Sequence, residues 1–419
     1  MATSVVQSGD YLLELDTGFQ VDAFTLDSAT KGVLDNTQYV LDGTTQFADI
    51  TAFATLISYN RGRRKSDYQF GAGTMQFVMR DETGILGPYD TSSPYYDPAN
   101  SQPGLAPLRK VRLSREGEYL FVGHVLSYSY EFAQAGPNTV AVECADDFYL
   151  LAQTQLDAFN PSAETSGERI ATVLALPEVD YQGTTSLDNG TVNLGHDSSY
   201  NVSAGTNTLA YLQQINQAEQ GRLFMSRAGV LTFEPRIGAT LSATIISFAD
   251  DGIGAKYQNL DVEFDADNVV NRAYVQALDG KTATDSDPAS IATYFTQSKS
   301  ITNSLLHIQG EVDDLAAYLL EPDPEPRYTS VTTWFGSLTS MQRDDVATID
   351  IGDTISIEKT IPGLGTQLGE ELAIEGISGV IEVNRGHTVT FYTSPTTIVY
   401  QLILDDAVYG LLDSTNVLG

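Results

Sequence analysis

The side chains that could act as catalysts in this 419-residue chain are few and scattered. Its histidines are His124, His196, His307 and His387, and no serine lies in a Gly-x-Ser-x-Gly turn that would present a nucleophile to one of them. His124 falls within a strand pattern, His387 beside a turn and His307 before an apolar residue. We therefore expect the histidines to be structural, and the sequence predicts no acyl-transfer site.

Metal and cofactor motifs are equally thin. Cys144 is the single cysteine and no His-x-x-x-His spacing occurs, so a zinc site has no ligand set. The Gly71-Ala-Gly73 sequence lacks the Lys-Ser/Thr ending of a phosphate-binding loop. Carboxylates for glycoside hydrolysis could be drawn from 55 acidic residues, so no pair stands out. We predict no catalytic, cofactor-binding or metal-ligating residue.

Calcium is the one metal that the acidic loops leave open. None of these loops has the twelve-residue spacing of an EF-hand, so we expect them to be solvated turns. They comprise Asp90 to Asp97, Asp250-Asp251 and Asp344-Asp345.

A short basic run is the one electrostatic anomaly. Arg61, Arg63, Arg64 and Lys65 lie together in a chain with 22 basic and 55 acidic residues, a formal net charge of −33. Such a run would be attracted to the acidic surface of a second copy or of a neighbouring protein. The alternative, which the sequence leaves open, is an ordinary solvated turn.

The overall charge excludes several classes of partner. Binding to nucleic acid phosphates or to an anionic membrane requires a basic surface, which this chain lacks. Apolar residues make up 42% of the chain, which is enough for a packed core. No signal peptide and no run of about eighteen apolar residues is found, so we expect synthesis in a cytosol and no membrane-spanning helix.

Most of the chain reads as short strands broken by Gly, Asn, Asp and Pro. Leu126, Tyr128 and Tyr130 alternate along one strand, and the run that begins at Thr139 returns as its hairpin partner. Three helices are predicted: one capped by Thr165 and Glu168 and stopped by Pro177, one from about Thr206 to Gly221, and one over 311–320. A hairpin follows the second helix, over 222–233.

Two internal similarities indicate a repeated organisation. Residues 26–37 and 404–415 share Leu-Asp-x-Ala-x-x-Gly-x-Leu-Asp-x-Thr, which favours a pair of related terminal arms that dock outside the core. The strands 111–113, 120–132 and 138–142 have the same order as 355–357, 373–383 and 387–391. In each set the middle strand has an internal glycine, Gly123 in one and Gly376 in the other. We infer two copies of one small β-barrel.

These patterns predict a mainly β fold with a small α+β insert, two related β-barrel domains and two terminal arms. The expected boundaries follow from these strand, helix and repeat patterns. They are an N-terminal arm over 1–48, a first barrel over 49–157, an α+β insert over 158–235, a second barrel over 236–395 that contains the helix 311–320, and a C-terminal arm over 396–419.

The ordered set of strand and turn patterns resembles the tail-tip hub proteins, or minor tail proteins, of long-tailed bacteriophages. The matching pieces run through nearly the whole chain, and each alone is unspecific. They include Arg61-Gly-Arg63, Ala72-Gly-Thr74, Ser93-Pro-Tyr-Tyr-Asp-Pro-Ala-Asn100, Val142-Glu-Cys-Ala-Asp-Asp147, Asp350-Ile-Gly-Asp-Thr-Ile355 and Val389-Thr-Phe-Tyr-Thr-Ser-Pro395.

This resemblance implies a structural virion protein rather than an enzyme, with tail-tube-like barrels that form a ring, usually of three copies, below the tail tube. It also implies a position at the tail tip, and as partners the tube or distal tail proteins, the tape measure protein and tip or fibre proteins. DNA would pass through the ring without stable binding. Two alternatives stay open: a distal tail ring or other minor tail protein, normally in six copies, and a tail protein that binds or hydrolyses carbohydrate of the host envelope.

Overall fold

The structure is a computed structural model and describes residues 10–20, 46–65, 69–97, 99–134, 136–236, 243–360 and 367–395. The helices in these ranges are α1 Asp147–Gln153, α2 Ser166–Leu174, α3 Thr208–Glu219, α4 Pro288–Tyr294, α5 Gln309–Tyr318 and α6 Ser340–Thr348.

The strands of the N-terminal half are β1 Tyr11–Asp16, β2 Phe47–Asp49, β3 Ala54–Gly62, β4 Thr74–Asp81, β5 Tyr96–Asp97, β6 Gln102–Pro103, β7 Lys110–Arg115, β8 Glu118–Glu131, β9 Asn138–Ala145, β10 Gln155–Leu156, β11 Glu164–Thr165, β12 Thr185–Leu187 and β13 Asn193–Leu194. Those of the C-terminal half are β14 Thr206–Asn207, β15 Arg222–Met225, β16 Leu231–Glu234, β17 Ser247–Ala249, β18 Asn259–Glu263, β19 Arg272–Ala277, β20 Thr282–Ser286, β21 Ser298–Ser304, β22 Arg327–Trp334, β23 Thr354–Thr360, β24 Gln367–Glu382 and β25 Gly386–Pro395.

One 13-stranded sheet dominates the molecule, which confirms the mainly β prediction. Its main path runs β18-β22-β25-β24-β3-β4-β9-β8-β7-β1-β2, and β23 adds to β24 with β17 beside it. Within the described part of the chain this path is open, so the two predicted barrels are two parts of one continuous sheet and neither closes on itself.

Two five-stranded units within this sheet have the same order of strands. We call β3-β4-β9-β8-β7 the first module and β18-β22-β25-β24-β23 the second module. When the five strands of a module are counted in chain order, the first pairs with the second and the second pairs with the fifth. The third, fourth and fifth strands form an antiparallel meander. The predicted repeat of strands is therefore present in the fold.

The repeat extends to the pairing register. Residues of the β24–β25 hairpin lie 249 positions after their counterparts in β8–β9. For example, Val125↔Cys144 corresponds to Ile374↔Thr393, and both hairpins have an irregularity immediately afterwards. The backbones of Val125 and Ile374 also form equivalent hydrogen bonds with the loop that precedes β7 or β23. Val125 bonds with Leu108 and Arg109, and Ile374 bonds with Gly352 and Asp353.

The register corrects the predicted match between Gly123 and Gly376. Gly123 pairs with Val111, whose counterpart is Ile355, so Gly123 corresponds to Leu372 rather than to Gly376. The two glycines have different neighbours. A Cβ on Gly123 would lie 2.4 Å from the carbonyl oxygen of Ala145, whereas one on Gly376 would lie 2.4 Å from that of Arg63.

The modules share one hydrophobic core, which also includes the start of the chain. Leu13 and Leu15 of β1 are fully buried in this core, and β1 pairs with β7. The first β unit thus begins before residue 49, within the range predicted as an N-terminal arm. The similar segments 26–37 and 404–415 lie outside the described residues, so the predicted docking of the arms stays a prediction.

A second core lies under the helices. It joins α1, α2 and α3 and the β15–β16 hairpin to β19, β20, β21 and α5. The predicted helices are present as α2, α3 and α5, and α2 has the predicted capping box. The α+β unit therefore draws on residues from inside the predicted second barrel as well as on 158–235.

Candidate functional site

The two modules meet at one pair of strands, β3 and β24, which we call the junction. These strands are antiparallel and run from Leu56 opposite Glu382 to Gly62 opposite Gly376. Next to the Leu56 end Ile57 faces Ile381, and both side chains are buried. Because each strand also pairs with its own module, the junction makes the sheet continuous within a single chain.

Two ion pairs cross the junction beside these strands. Arg61 Nη1 lies 2.6 Å from Asp350 Oδ1, and Arg63 Nε lies 2.6 Å from Glu375 Oε2. The Arg61 side chain is only 3% exposed and the Glu375 side chain 7%. Ser394 donates a further hydrogen bond to Glu375. Removing one member of such a pair leaves an uncompensated charge that is largely shielded from water, which is destabilising.

The electrostatics of Glu375 reflect these contacts. Burial by itself would raise the pKa of this carboxyl group, but the charge and the hydrogen bond of Arg63, with the hydroxyl of Ser394, hold the pKa below its ordinary value. Glu375 is therefore ionised at neutral pH, as an ion pair requires.

All four residues of the predicted basic run lie at the junction or next to it. Arg64 is exposed and its guanidinium lies 5.5 Å from the ring centre of Tyr392, while Lys65 Nζ lies 3.1 Å from Glu263. The acids that pair with Arg61, Arg63 and Lys65 all belong to the second module or its flanking loop. An additional contact of the run with another chain stays a prediction.

A second buried cluster surrounds His387. Tyr59 Oη lies 3.0 Å from His387 Nε2, and the Phe335 ring stacks on the imidazole with centroids 4.2 Å apart. Burial, with the nearby positive charge of Arg115, lowers the pKa of His387 to about 3. The imidazole is neutral at physiological pH, so this histidine packs the core of the sheet and does not exchange protons there.

Tyr59 also explains a glycine of the junction. Its ring lies over Gly379, where an added Cβ would be 2.2 Å from the ring carbon Cζ. Only a residue without a side chain fits opposite this tyrosine.

The remaining histidines lie among polar groups away from the junction. His124 Nδ1 lies 3.1 Å from Asp147 Oδ1. The ligand atoms of Asp197, Asp279 and His307 lie within 4.8 Å of one another, a grouping that sequence reasoning missed because the three are far apart in the chain. The Lys281 ammonium group forms an ion pair with Asp279, so it supplies the positive charge that a metal ion would otherwise provide to this grouping.

Several carboxylates of the acidic loops accept hydrogen bonds within the chain. Asp90 accepts from Ser92, Asp97 from Asn100 and Asp251 from the backbone of Ile253, all within two or three residues, as in the turns that acidic side chains commonly stabilise. Asp250 accepts hydrogen bonds from Thr360, which lies 110 positions later in the chain. Asp344 instead pairs with a guanidinium, that of Arg115 on β7, at 2.8 Å.

Cys144 is buried in the core of the sheet, and burial raises the pKa of its thiol. It is therefore a small core residue, with no thiolate at neutral pH. In the ranges that the structure covers, no helix is long and apolar enough to cross a bilayer.

What the junction provides is mechanical: paired strands, buried ion pairs and a packed aromatic cluster that hold two similar modules together.

Comparison with known proteins identifies the fold. No protein-family model and no curated protein matches the sequence. Among solved structures, a tail protein from Neisseria meningitidis MC58 is similar with a TM-score of 0.57 and 10% identity, over 92% of this chain and 97% of that one. The 43 kDa tail protein of prophage MuSo2 from Shewanella oneidensis is similar with a TM-score of 0.55 and 13% identity, over 92% and 98%. The resemblance to tail proteins in the sequence is thus confirmed in the fold, and this chain has the fold of bacteriophage tail proteins along nearly its whole length.

Proposed function

We propose that this chain is a structural protein of a bacteriophage tail that forms the ring-shaped hub at the tail tip. The observation that carries the proposal is the pair of modules with one strand order and one register, joined edge to edge at the junction in a chain with a tail-protein fold. The hub joins the sixfold tail tube to tip or fibre proteins and lines the channel through which DNA leaves.

The number of modules supports a trimer. Two modules in each chain make six in three chains, so a threefold ring can present one module to each subunit of a sixfold tube. The partners above the ring are then tube or distal tail proteins and the tape measure protein, and those below it are tip or fibre proteins. Such a protein is made in the bacterial cytoplasm and ends in the virion.

The charge of the chain is consistent with a channel for DNA. Arg61 is buried against Asp350 and Arg63 is partly buried against Glu375, so these two cationic groups of the basic run are neutralised within the chain. With a net charge of −33, the walls of a ring would repel phosphates and let DNA pass without stable binding. A neutral or basic channel wall in an image of the assembled ring would contradict this part of the proposal.

The purified protein tests the proposal by its mass in light scattering and by negative-stain electron microscopy. The expected result is three copies per particle, seen as a ring with a central opening. Six copies in the ring would favour a distal tail ring protein, and a stable monomer that never enters a tail would refute the hub. An assay on host cell-wall material serves as the check on enzymatic function, and cleavage by the isolated chain would contradict a purely structural role.

A further inference from the structure

The repeat leaves one edge of β8 without the partner that its counterpart has. In β24, the segment Gly376–Glu382 pairs with β25 on one side and with β3 on the other. The equivalent residues are 127–133, and of these Ser127–Glu131 pair with β9 on one side. Among the described residues no strand pairs with its other side, because β7 reaches only as far as His124.

The complementary edge belongs to β18. This strand is the counterpart of β3, since Ile57 pairs with Phe77 and Leu260 pairs with the equivalent Val331. β3 uses its second edge to pair with β24, whereas β18 ends the path of the large sheet. The two modules are therefore joined within the chain by the edges of β3 and β24. The equivalent edges, of β18 in the second module and of β8 in the first, are not paired with each other in the described part of the chain.

Transferring the register of the junction to these edges brings apolar side chains together. Ile57 opposite Ile381 becomes Leu260 opposite Phe132. The pairing of β18 with β22 has an irregularity after Asp261, and counting along β18 itself past this point, Tyr59 opposite Gly379 becomes Val262 opposite Tyr130. The next pair on the same face is Phe264 opposite Tyr128. Phe132, Val262 and Phe264 are 59%, 52% and 66% exposed in the single chain, and the pairing would cover them together.

The aromatic side chains on β8 are already arranged as a surface. The rings of Tyr128 and Tyr130 stack with centroids 6.1 Å apart, and those of Tyr130 and Phe132 with centroids 6.0 Å apart. An aromatic row along an open strand is a favourable contact for aliphatic or aromatic residues on an added strand.

We propose that β18 of one copy pairs antiparallel with the open segment of β8 in the next copy, repeating the junction between chains. The partner is a second copy of this chain, and the contact is head-to-tail because it joins two different edges. Such contacts form a closed ring when the rotation between neighbours divides a full turn. The pairing also removes two open strand edges. This inference rests on the proposed ring function and names the surface that would build the ring.

Charge makes the contact sensitive to salt. The transferred register places Glu131 opposite Asp261, and like charges in directly opposite positions oppose pairing. Each carboxylate already accepts a hydrogen bond from its own sheet, Glu131 from Thr139 and Asp261 from Ser330. Screening at higher ionic strength weakens the repulsion, so association is expected to strengthen as salt is added.

Cysteine cross-linking tests the register, using Glu131→Cys and Asp261→Cys in separate preparations of the full chain. Paired strands bring Cα atoms within the range that a disulfide spans. Because the contact joins different edges, we expect a disulfide-linked dimer only when the two variants are mixed and oxidised. The native Cys144 is buried and does not compete. Thr284→Cys, an exposed position on another sheet, is the matched control partner for Glu131→Cys.

The double variant Glu131→Cys/Asp261→Cys separates this inference from the proposed function. Covalent particles that end at three copies support both. Covalent chains of increasing length with no closed particle support the strand pairing and contradict the hub ring. Trimeric rings that form no disulfide overturn the strand pairing alone, and monomers without disulfides overturn it together with the ring.

A side-chain variant gives an independent measurement in the otherwise unchanged protein. Phe264→Ser removes apolar surface from the contact and is expected to weaken association about tenfold or more. Ile253→Ser is the control, because Ile253 is 86% exposed and is not one of the residues that the transferred register pairs. Circular dichroism confirms that each variant is folded. Equal association of the two variants would overturn the proposed contact.

Discussion

The ion pair between Arg63 and Glu375 offers the sharpest test of how the modules are held together. Glu375→Gln keeps the size and shape of the side chain and removes its charge. The Glu375 side chain is 7% exposed, and it accepts bonds of 2.6 Å from Arg63 and 2.7 Å from Ser394. A hydrogen bond to a buried charged group contributes about 1.5–3 kcal/mol, and a glutamine oxygen retains only part of these contacts. We expect a loss of about 2–3 kcal/mol in the free energy of unfolding.

Urea unfolding followed by circular dichroism and by the fluorescence of Trp334, the single tryptophan, measures this loss. Glu382→Gln is the matched control on the same strand, since Glu382 pairs with Arg385, whose side chain is 82% exposed. Exposed pairs contribute little, so the control should change the free energy of unfolding by less than about 1 kcal/mol. Equal effects of the two substitutions would refute the claim that Glu375 holds the junction.

The pH dependence gives a second readout of the same pair. The pKa of Glu375 is lowered in the folded chain, so its contribution to stability is present above the ordinary carboxyl pKa. The contribution is lost as the pH falls through the lowered folded value. The wild-type and Glu375→Gln proteins should therefore differ fully in stability at pH 7, and the difference should begin to shrink as the pH falls below the ordinary glutamate pKa of about 4.3. A difference that stays constant down to pH 3 would assign the effect to packing instead of charge.

Three further substitutions test other parts of the fold. Gly379→Ala should destabilise the chain by about 1–3 kcal/mol in urea unfolding because its Cβ would overlap the ring on β3, whereas Gly369→Ala, whose nearest contact would be at 3.9 Å, should change little. Thr165→Ala removes the cap of α2 and should cost about 1 kcal/mol by the same measurement; no loss would contradict the capping role. Glu131→Lys places opposite charges across the proposed contact between copies and should strengthen association in light scattering at low salt, and weaker association would contradict the transferred register.

The sequence predicts strands and their repetition better than it predicts what lies between them. The run from Asn138 to Val142 and the run from His387 to Phe391 were matched from their patterns alone, and the structure gives them equivalent pairing. Strand order follows because each segment carries its own alternation. The expected match between Gly123 and Gly376 is wrong. A glycine in a strand marks the close approach of another backbone, and which backbone approaches is visible only in the folded chain.

The candidate site was only partly predictable, for a related reason. The basic run is visible as a charge anomaly, and the structure places it at the junction. Its partners Asp350 and Glu375 lie about 300 residues away, and nothing in the local pattern separates them from 53 other acidic residues. The second core shows the same limit, because β19 and α5 join it from a part of the chain that reads as a second barrel.

The junction has a consequence for the kinetics of assembly. Its two strands belong to one polypeptide, so it forms within each folded chain at any protein concentration, with the linking residues supplying a high effective concentration. In a ring of six modules built from three chains, half of the joints would be complete before any two chains meet. Of the remaining three, two would form by bimolecular association and the third by closure of the ring within the three-chain particle, so the supply of newly made chains would set when rings appear.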